Sequence, residues 1–302
     1  MCDLPLFLAL APGRAAGIPA AVYFHENQLT YPWSGGDPDP ALGRDAHYAF
    51  ANVASALAAD RVFFNSGWHM EDFLGALPGF LERFPDRNEG WIPGAIEKKS
   101  SVLPLGVDLA GLGRRSAPSE PGAPPLVLWN HRWEYDKGPE EFFRVLRLLA
   151  GEGLDFEVAV LGESHGERPA VFAGAREALG KRIVQWGFAQ SRADYAAWLR
   201  RADILPVTAR HEFFGASVVE AMHCGVCPVL PRRLAYPGHI PASRRDEFLY
   251  DDFDGLVWML RRRIERIDET RALDVSSFVT RYDWKAQVPV YDAALAAVVR
   301  GG

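Results

Sequence analysis

Cysteine is scarce: the 302 residues hold only Cys2, Cys224 and Cys227. So small and odd a number excludes a disulfide-stapled scaffold and fits a reducing compartment. No apolar run approaches the ~18 residues of a membrane span. The run Leu4–Ala11 follows Asp3 with no basic residue ahead of it, so it lacks the positive start of a signal peptide. The expected localisation is therefore cytoplasmic. Positive charge is in deficit, with 33 Lys and Arg against 39 Asp and Glu and a net charge of -6. That argues against a dominant basic surface for gripping a phosphate backbone. Local patches are conceivable at Arg200–Arg201, Arg232–Arg233, Arg244–Arg245 and Arg261–Arg263, although such runs more often form a solvated charged face. No D-x-D metal triplet stands at a strand end, and His223 and His239 lack companion spacing for zinc.

What is present is an alternation of short apolar runs with helix-length segments. Ala20–Phe24, Arg61–Asn65, Val102–Leu105, Leu126–Asn130, Phe156–Leu161, Arg182–Trp186, Ile204–Val207 and Cys227–Leu230 read as strands. Helices are expected near Asp45–Ala58, Pro139–Ala150, Arg168–Leu179, Arg192–Arg201 and Ala216–His223. Continuously apolar strands separated by helices indicate parallel sheets covered on both faces, an α/β doubly wound class. Residues 110–125 contain GLGRRSAPSEPGAPP, which can continue neither a helix nor a central strand, and read as a linker. The expected organisation is a first lobe over 1–109, the linker, and a second lobe over 126–276.

Two constellations carry chemistry. After the strand LVLWN comes Asn130-His131-Arg132-Trp133-Glu134-Tyr135-Asp136-Lys137-Gly138-Pro139. A strand end in an open α/β sheet is where ligands sit, and two cations ahead of a helix suit a diphosphate. The plainer alternative is a solvated polar loop. After the strand ILPV comes His211-Glu212-Phe213-Phe214-Gly215, leading into a helix that carries Glu220. Gly215 permits close backbone approach, and the helix start offers free amides to an anion. Glu220 in the apolar string VVEAM needs a partner if buried, which a ribose diol would supply; otherwise it is an exposed helix position. Glu212 reads alternatively as an acid capping the helix.

The E-x7-E pattern Glu212…Glu220, preceded by Arg132…Lys137 and by Leu103-Pro104-Leu105-Gly106-Val107-Asp108, resembles the group 1 retaining glycosyltransferases of the family-four type. The strings Tyr23-Phe24-His25-Glu26-Asn27-Gln28-Leu29-Thr30-Tyr31-Pro32, Asn130 to Glu134, Leu161-Gly162-Glu163, Gln185-Trp186-Gly187-Phe188, His211 to Gly215 and Tyr236-Pro237 narrow the resemblance to the tRNA-queuosine alpha-mannosyltransferases. It runs from about Leu4 to the C-terminal helix. It implies a GT-B fold of two Rossmann-like lobes with a donor cleft between them. A C-terminal helix over 277–302 would return to the first lobe, with Trp284 as its anchor. It implies GDP-mannose as donor, queuosine-containing tRNA as acceptor, retention of configuration, no cofactor and no obligatory metal.

Carried onto these positions, the resemblance assigns Arg132 and Lys137 to the leaving diphosphate and Glu212 to the hydroxyls of the transferring sugar. Phe214 and Gly215 would supply donor-binding amides, and Glu220 would hold the ribose. His25 faces the sugar from the first lobe, with Glu26 and Asn27 on the acceptor side. The family's first lobe opens with a strand and a Gly-rich loop, whereas MCDLPLFLAL matches a region well inside it, so the first lobe is expected to be truncated, leaving AAVYF without a neighbour on one side.

Rival readings are another hydroxyl acceptor, a nucleotide-sugar or tRNA-binding module without turnover, and a serine hydrolase. The last rests on Gly162-Glu163-Ser164-His165-Gly166, a G-x-S-x-G string after a strand, with Asp203 and His211 or His239 downstream. Gly166 and Pro169 delay the helix that a nucleophile elbow requires. Cys224-Gly225-Val226-Cys227 fits a redox C-x-x-C, but its place between a helix end and a strand favours packing.

Overall fold

In the computed structural model, which describes residues 3–11, 13, 17–33, 39, 42, 46–84, 89–115, 122–163 and 170–300, the chain divides into two compact units. Met1–Leu105 with Gln287–Gly302 form the first and Gly106–Ala286 the second.

The first unit is built on three parallel strands in the order β1-β2-β3: β1 (Ala21–Phe24), β2 (Arg61–Phe64) and β3 (Ser100–Val102). The third strand ends where the sequence pattern had it begin. Among the described residues, the other edge of β1 has no partner strand. The apolar run after Asp3 is a helix, α1 (Leu4–Leu10), whose first turn is capped by Asp3 accepting the Leu6 N–H at 3.0 Å. The Leu4 N–H donates to Ser55 Oγ at 3.0 Å, tying α1 to α2 (His47–Ala58).

The sequence pattern passes over α3 (Gly67–Leu81) and α4 (Ile92–Glu97). Gly75, Pro78 and Gly79 lower the intrinsic helicity of α3. Its buried face of Phe73, Leu77 and Phe80 and its Ser66 cap override that penalty. Phe24, Phe64 and Phe73 pack with centroids 5.1–5.3 Å apart; each buried ring contributes about 1.5–3 kcal/mol.

The last helix, α12 (Trp284–Arg300), starts in the second unit and from Gln287 belongs to the first. There Val298 joins Phe63 and Leu103, while the Tyr291 hydroxyl donates to the Pro104 carbonyl at 3.1 Å.

The second unit is a six-stranded parallel sheet: β4 (Leu126–Trp129), β5 (Glu157–Leu161), β6 (Ile183–Gly187), β7 (Ile204–Pro206), β8 (Cys227–Pro231) and β9 (Leu249–Tyr250). Their spatial order is β6-β5-β4-β7-β8-β9, the doubly wound order of a dinucleotide-binding sheet. The chain winds outward from β4 in one direction and, from β7, in the other. The connections leaving the carboxyl ends of β4 and β7 therefore run in opposite directions and leave a crevice. The connecting helices are α5 (Pro139–Gly151), α6 (Val171–Leu179), α7 (Arg192–Arg201), α8 (Ala216–His223), α9 (Arg245–Phe248), α10 (Phe253–Glu265) and α11 (Ile267–Arg271). Aromatic packing of Trp129, Trp133, Phe142, Phe143, Phe172 and Trp186 fills the core around β4–β6, with Trp133 stacked on Phe172 at 4.6 Å.

The linker expected over 110–125 is not a free tether along its described length. Leu109 and Leu112 are fully buried. Arg115 donates to Asp203 Oδ1 at 2.7 Å and to the Arg200 carbonyl at 3.1 Å. Arg271 donates to the same carboxylate at 3.0 Å, and Asp203 also accepts the Leu126 N–H at 2.9 Å. The boundary between units accordingly precedes Gly106, earlier than the Pro- and Gly-rich stretch suggests. Residues 116–121 lie outside the described structure.

Candidate active site

The two sequence constellations occupy the crevice strands: residues 130–138 follow β4 and residues 207–215 follow β7. They are laced together by short-range geometry. The Thr208 hydroxyl is within 3.1 Å of the Lys137 carbonyl and 2.9 Å of the Gly138 carbonyl, and the Arg210 N–H donates to the Asp136 carbonyl at 2.7 Å. Gly138 makes this possible. Its φ is +66°, and a Cβ there would run into the Thr208 carbonyl oxygen.

Lys137 and Glu212, predicted from separate loops, meet. The ammonium lies 3.4 Å from Glu212 Oε2, 2.9 Å from Asp136 Oδ2 and 3.2 Å from the His211 carbonyl. Glu212 Oε1 accepts the Phe214 N–H at 3.3 Å, so this acid braces the turn before α8. Burial pushes the Glu212 carboxyl up, but the Lys137 charge and the Phe214 N–H outweigh it and hold it below its ordinary value. Gly215, at φ +87°, is the residue ahead of α8; a Cβ there would sit 3.2 Å from the Tyr236 ring and 3.5 Å from Glu212 Cγ.

His239, set aside as a metal ligand, fixes this turn. Its Nε2 lies 2.5 Å from the Phe214 carbonyl and its Nδ1 3.2 Å from the Tyr282 hydroxyl. Burial lowers its pKa to about 4. The neutral ring therefore carries its proton on Nε2, donates to the carbonyl and accepts from Tyr282.

Arg132 and Glu220 line a second feature, a cavity of about 480 Å³ shared with Asn130, Phe188, Arg192 and Tyr195. Arg132 is half exposed and pairs with Glu134 at 3.1 Å. Glu220 has protein partners: Arg192 Nη1 at 2.9 Å and the Tyr195 hydroxyl at 2.8 Å. Its place in an apolar string thus does not by itself require a ligand. The two acceptors keep free lone pairs, since a carboxylate offers about four acceptor positions. Arg192 and Tyr195 were missed by the sequence reading. Their spacing on α7 is unremarkable, and only the crossing of α7 past α8 brings them to Glu220.

His131 also lines this cavity. Its Nδ1 lies 3.1 Å from Ser217 Oγ. Burial, and then the Lys137 charge, push its imidazole down to about 4, so it is neutral at pH 7.

In the first unit, His25 and Glu26 are exposed just after β1 and line a cavity of about 740 Å³ with Tyr23, Gln28 and Tyr48. The His25 ring packs on Tyr23 at 4.7 Å, and its carbonyl accepts Asn65 Nδ2 at 2.8 Å. Asn27 is different: it is fully buried, and its Oδ1 accepts the Leu29 and Thr30 N–H groups at 2.9 and 3.1 Å. It shapes the loop from within rather than presenting its side chain.

The remaining motifs resolve structurally. Arg201 pairs with Glu157 at 2.7 Å, Arg232 with Asp246 at 2.8 Å and Arg261 with Glu152 at 2.6 Å, and Arg244 pairs with Glu247, so one arginine of each run is held by a carboxylate. Cys224 and Cys227 are buried, and burial pushes their thiols up to about 12 and about 11, away from thiolate chemistry. Ser164 lies outside the described residues, and Asp203 of the rival hydrolase set is taken up by Arg115 and Arg271. Among the described residues no group of three His, Cys, Asp or Glu is placed to hold a metal, and no helix is long and apolar enough to cross a membrane.

Residues 1–107 match the family described as tRNA-queuosine alpha-mannosyltransferase N-terminal, and residues 114–240 match glycosyl transferases group 1. The chain is 35% identical over 301 residues to the tRNA-queuosine alpha-mannosyltransferase of Drosophila melanogaster, covering 96% of this chain and 77% of that protein. It is 26% identical over 200 residues to a GDP-mannose:cellobiosyl-diphosphopolyprenol alpha-mannosyltransferase of Xanthomonas oryzae, covering 63% of this chain and half of the relative. Among solved structures, Anabaena HepE in complex with UDP and glucose aligns with a TM-score of 0.67 at 16% identity, over 92% of this chain and 72% of that one. Sucrose-phosphate synthase from Thermosynechococcus elongatus aligns at 0.65 and 19%, over 92% and 68%. These last two speak to the fold, which is the GT-B type. The chain belongs to the tRNA-queuosine alpha-mannosyltransferase family, within the group 1 glycosyltransferases.

Proposed function

We propose that this member of the family transfers mannose from GDP-mannose to queuosine in tRNA, with retention of configuration. The observation that carries the proposal is that family similarity spans 96% of the chain, including the first unit, where acceptor-side groups are expected. The donor half is supported by the crevice after β4 and β7, where Lys137 meets Glu212 and where Arg132 and Glu220 line one cavity.

In this reading the nucleoside lies in the cavity with its ribose hydroxyls on Glu220. The diphosphate reaches Arg132, Lys137 and the amides of Phe214 and Gly215. Glu212 accepts hydrogen bonds from hydroxyls of the mannose. As the sugar–phosphate bond breaks, negative charge grows on the diphosphate. In this reading Arg132, Lys137 and the start of α8 stabilise it. No metal is needed for that charge, and no cofactor enters. Orientation supplies the remainder. His25 is proposed as a sugar contact and Glu26 as an acceptor-side group, with Asn27 acting through the loop it braces. A tRNA acceptor fits a cytoplasmic setting.

The test is incubation of the purified chain with GDP-mannose and queuosine-containing tRNA, followed by nucleoside mass spectrometry. A hexose added to queuosine is expected. No gain there, alongside transfer to another hydroxyl acceptor, refutes the acceptor assignment and keeps the donor chemistry. Donor binding with no transfer to any acceptor favours a binding module.

A further inference from the structure

Two groups expected to hold the donor's diphosphate are occupied by a single carboxylate. Glu212 places one oxygen 3.4 Å from the Lys137 ammonium and the other 3.3 Å from the Phe214 amide nitrogen. An anion bridging an ammonium and a backbone N–H just ahead of a helix start is the arrangement a pair of phosphate oxygens would adopt. Both contacts are long, against about 2.7–2.9 Å for a strong charged pair.

Two other neighbours of Lys137 are less able to leave. Asp136, at 2.9 Å, is 3% exposed, and the 3.2 Å contact is to the backbone carbonyl of His211. The Glu212 side chain keeps 21% of its surface exposed. Lys137 with Asp136 and Glu212 carries one net negative charge. A diphosphate entering while Glu212 stays in place would meet like charge at close range.

We propose that Glu212 is an internal stand-in for the donor's diphosphate: in the ligand-free protein it fills the anion position between Lys137 and Phe214, and the arriving diphosphate displaces it toward the hydroxyls of the transferring sugar. Donor binding then couples two events in one side chain, the filling of the phosphate site and the delivery of an acceptor to the sugar. The inference rests on the donor reading given above. It assigns opposite signs to Glu212 for two ligands: the carboxylate opposes a bare nucleoside diphosphate and favours a nucleotide sugar. A residue that only touches the sugar leaves nucleoside diphosphate binding unchanged, and one that only supports the loop weakens both ligands.

Titration calorimetry of the full chain with GDP and with GDP-mannose separates these cases, using wild type, Glu212→Gln, Lys137→Ala and the double variant. Glu212→Gln is expected to bind GDP about three- to tenfold more tightly, the scale of one ordinary hydrogen bond removed from competition, as suits two long contacts. GDP-mannose should lose that gain, and the double variant should bind GDP no better than Lys137→Ala. Unchanged or weaker GDP binding by a Glu212→Gln protein that unfolds at the wild-type temperature overturns the proposal. Should that variant be misfolded, a crystal structure of the wild-type GDP complex decides: the Lys137–Glu212 contact must open beyond 4 Å, and its persistence overturns the proposal. UDP is titrated in parallel. If UDP binds and GDP does not, the guanine assignment fails and the same variants are read with UDP; binding of neither refutes both readings.

Discussion

Adding one methyl group at Gly138 should damage the proposed donor site without touching a side chain assigned to the donor. Gly138 has φ +66°, and its missing Cβ would collide with the Thr208 carbonyl. Neither side can move freely. Thr208 is fully buried and linked through its hydroxyl to Lys137 and Gly138, and the Arg210 N–H holds Asp136 at 2.7 Å. Holding alanine in the left-handed region costs roughly 1–2 kcal/mol. Overpacking adds about 1–3 kcal/mol. The sum, about 2–5 kcal/mol, corresponds to a fall of roughly 4–20 °C in the unfolding temperature of a unit this size. If the strain is relieved by backbone movement, Lys137 moves with it, and a displacement of ~1 Å costs on the order of a hundredfold in turnover. Gly153→Ala is the control: φ is +87° there, but nothing lies within 4 Å of the added Cβ, so it carries conformational strain alone. Differential scanning calorimetry and a mannosyl-transfer assay read both variants. A Gly138→Ala protein that matches Gly153→Ala in unfolding temperature and retains transfer would refute the idea that the two loops are held in register at this point.

Other perturbations follow from named contacts. Asp203→Asn should lower stability at pH 7 by about 3–5 kcal/mol, because two guanidinium groups lose a buried counter-charge. Burial raises the Asp203 pKa, but Arg271, the Leu126 N–H and Arg115 more than offset it, and the folded pKa lies below the unfolded one. Its stabilisation is therefore present above about pH 4 and lost as pH falls through the folded value; urea midpoints of the variant should show a flatter acid limb, and an unchanged limb would contradict this. Glu220→Ala should weaken nucleotide-sugar binding at least tenfold by calorimetry, and unchanged affinity would remove Glu220 from the site. Tyr195→Phe deletes the 2.8 Å bond to Glu220 and should raise KM about fivefold, for a bond of about 1 kcal/mol, with kcat preserved; a loss confined to kcat would place Tyr195 elsewhere in the mechanism.

Much of the second unit was legible because its signals are local. Continuous apolar runs marked β4, β5, β7 and β8, and the loops after β4 and β7 were identifiable from charge and glycine at strand ends. The two-residue β9 carries too little pattern to be seen. In α3 the glycines and Pro78 masked a helix that tertiary burial of Phe73 and Leu77 sustains. Arg201 and Arg261 read as parts of candidate basic patches because their acidic partners, Glu157 and Glu152, lie far away in sequence.

The sequence by itself determined the residue types of the proposed donor site and, through E-x7-E and the strings around His25 and Arg132, the family. Those are one-dimensional properties: spacing along a helix and composition at a strand end. The tertiary structure decided which groups face one another. It set β4 beside β7, so that Lys137 meets Glu212 rather than solvent, and it laid α7 across α8, so that Glu220 is held by Arg192 and Tyr195. Strand order and helix crossing depend on the burial of apolar faces supplied by distant segments, and no window of sequence contains both sides of such a contact.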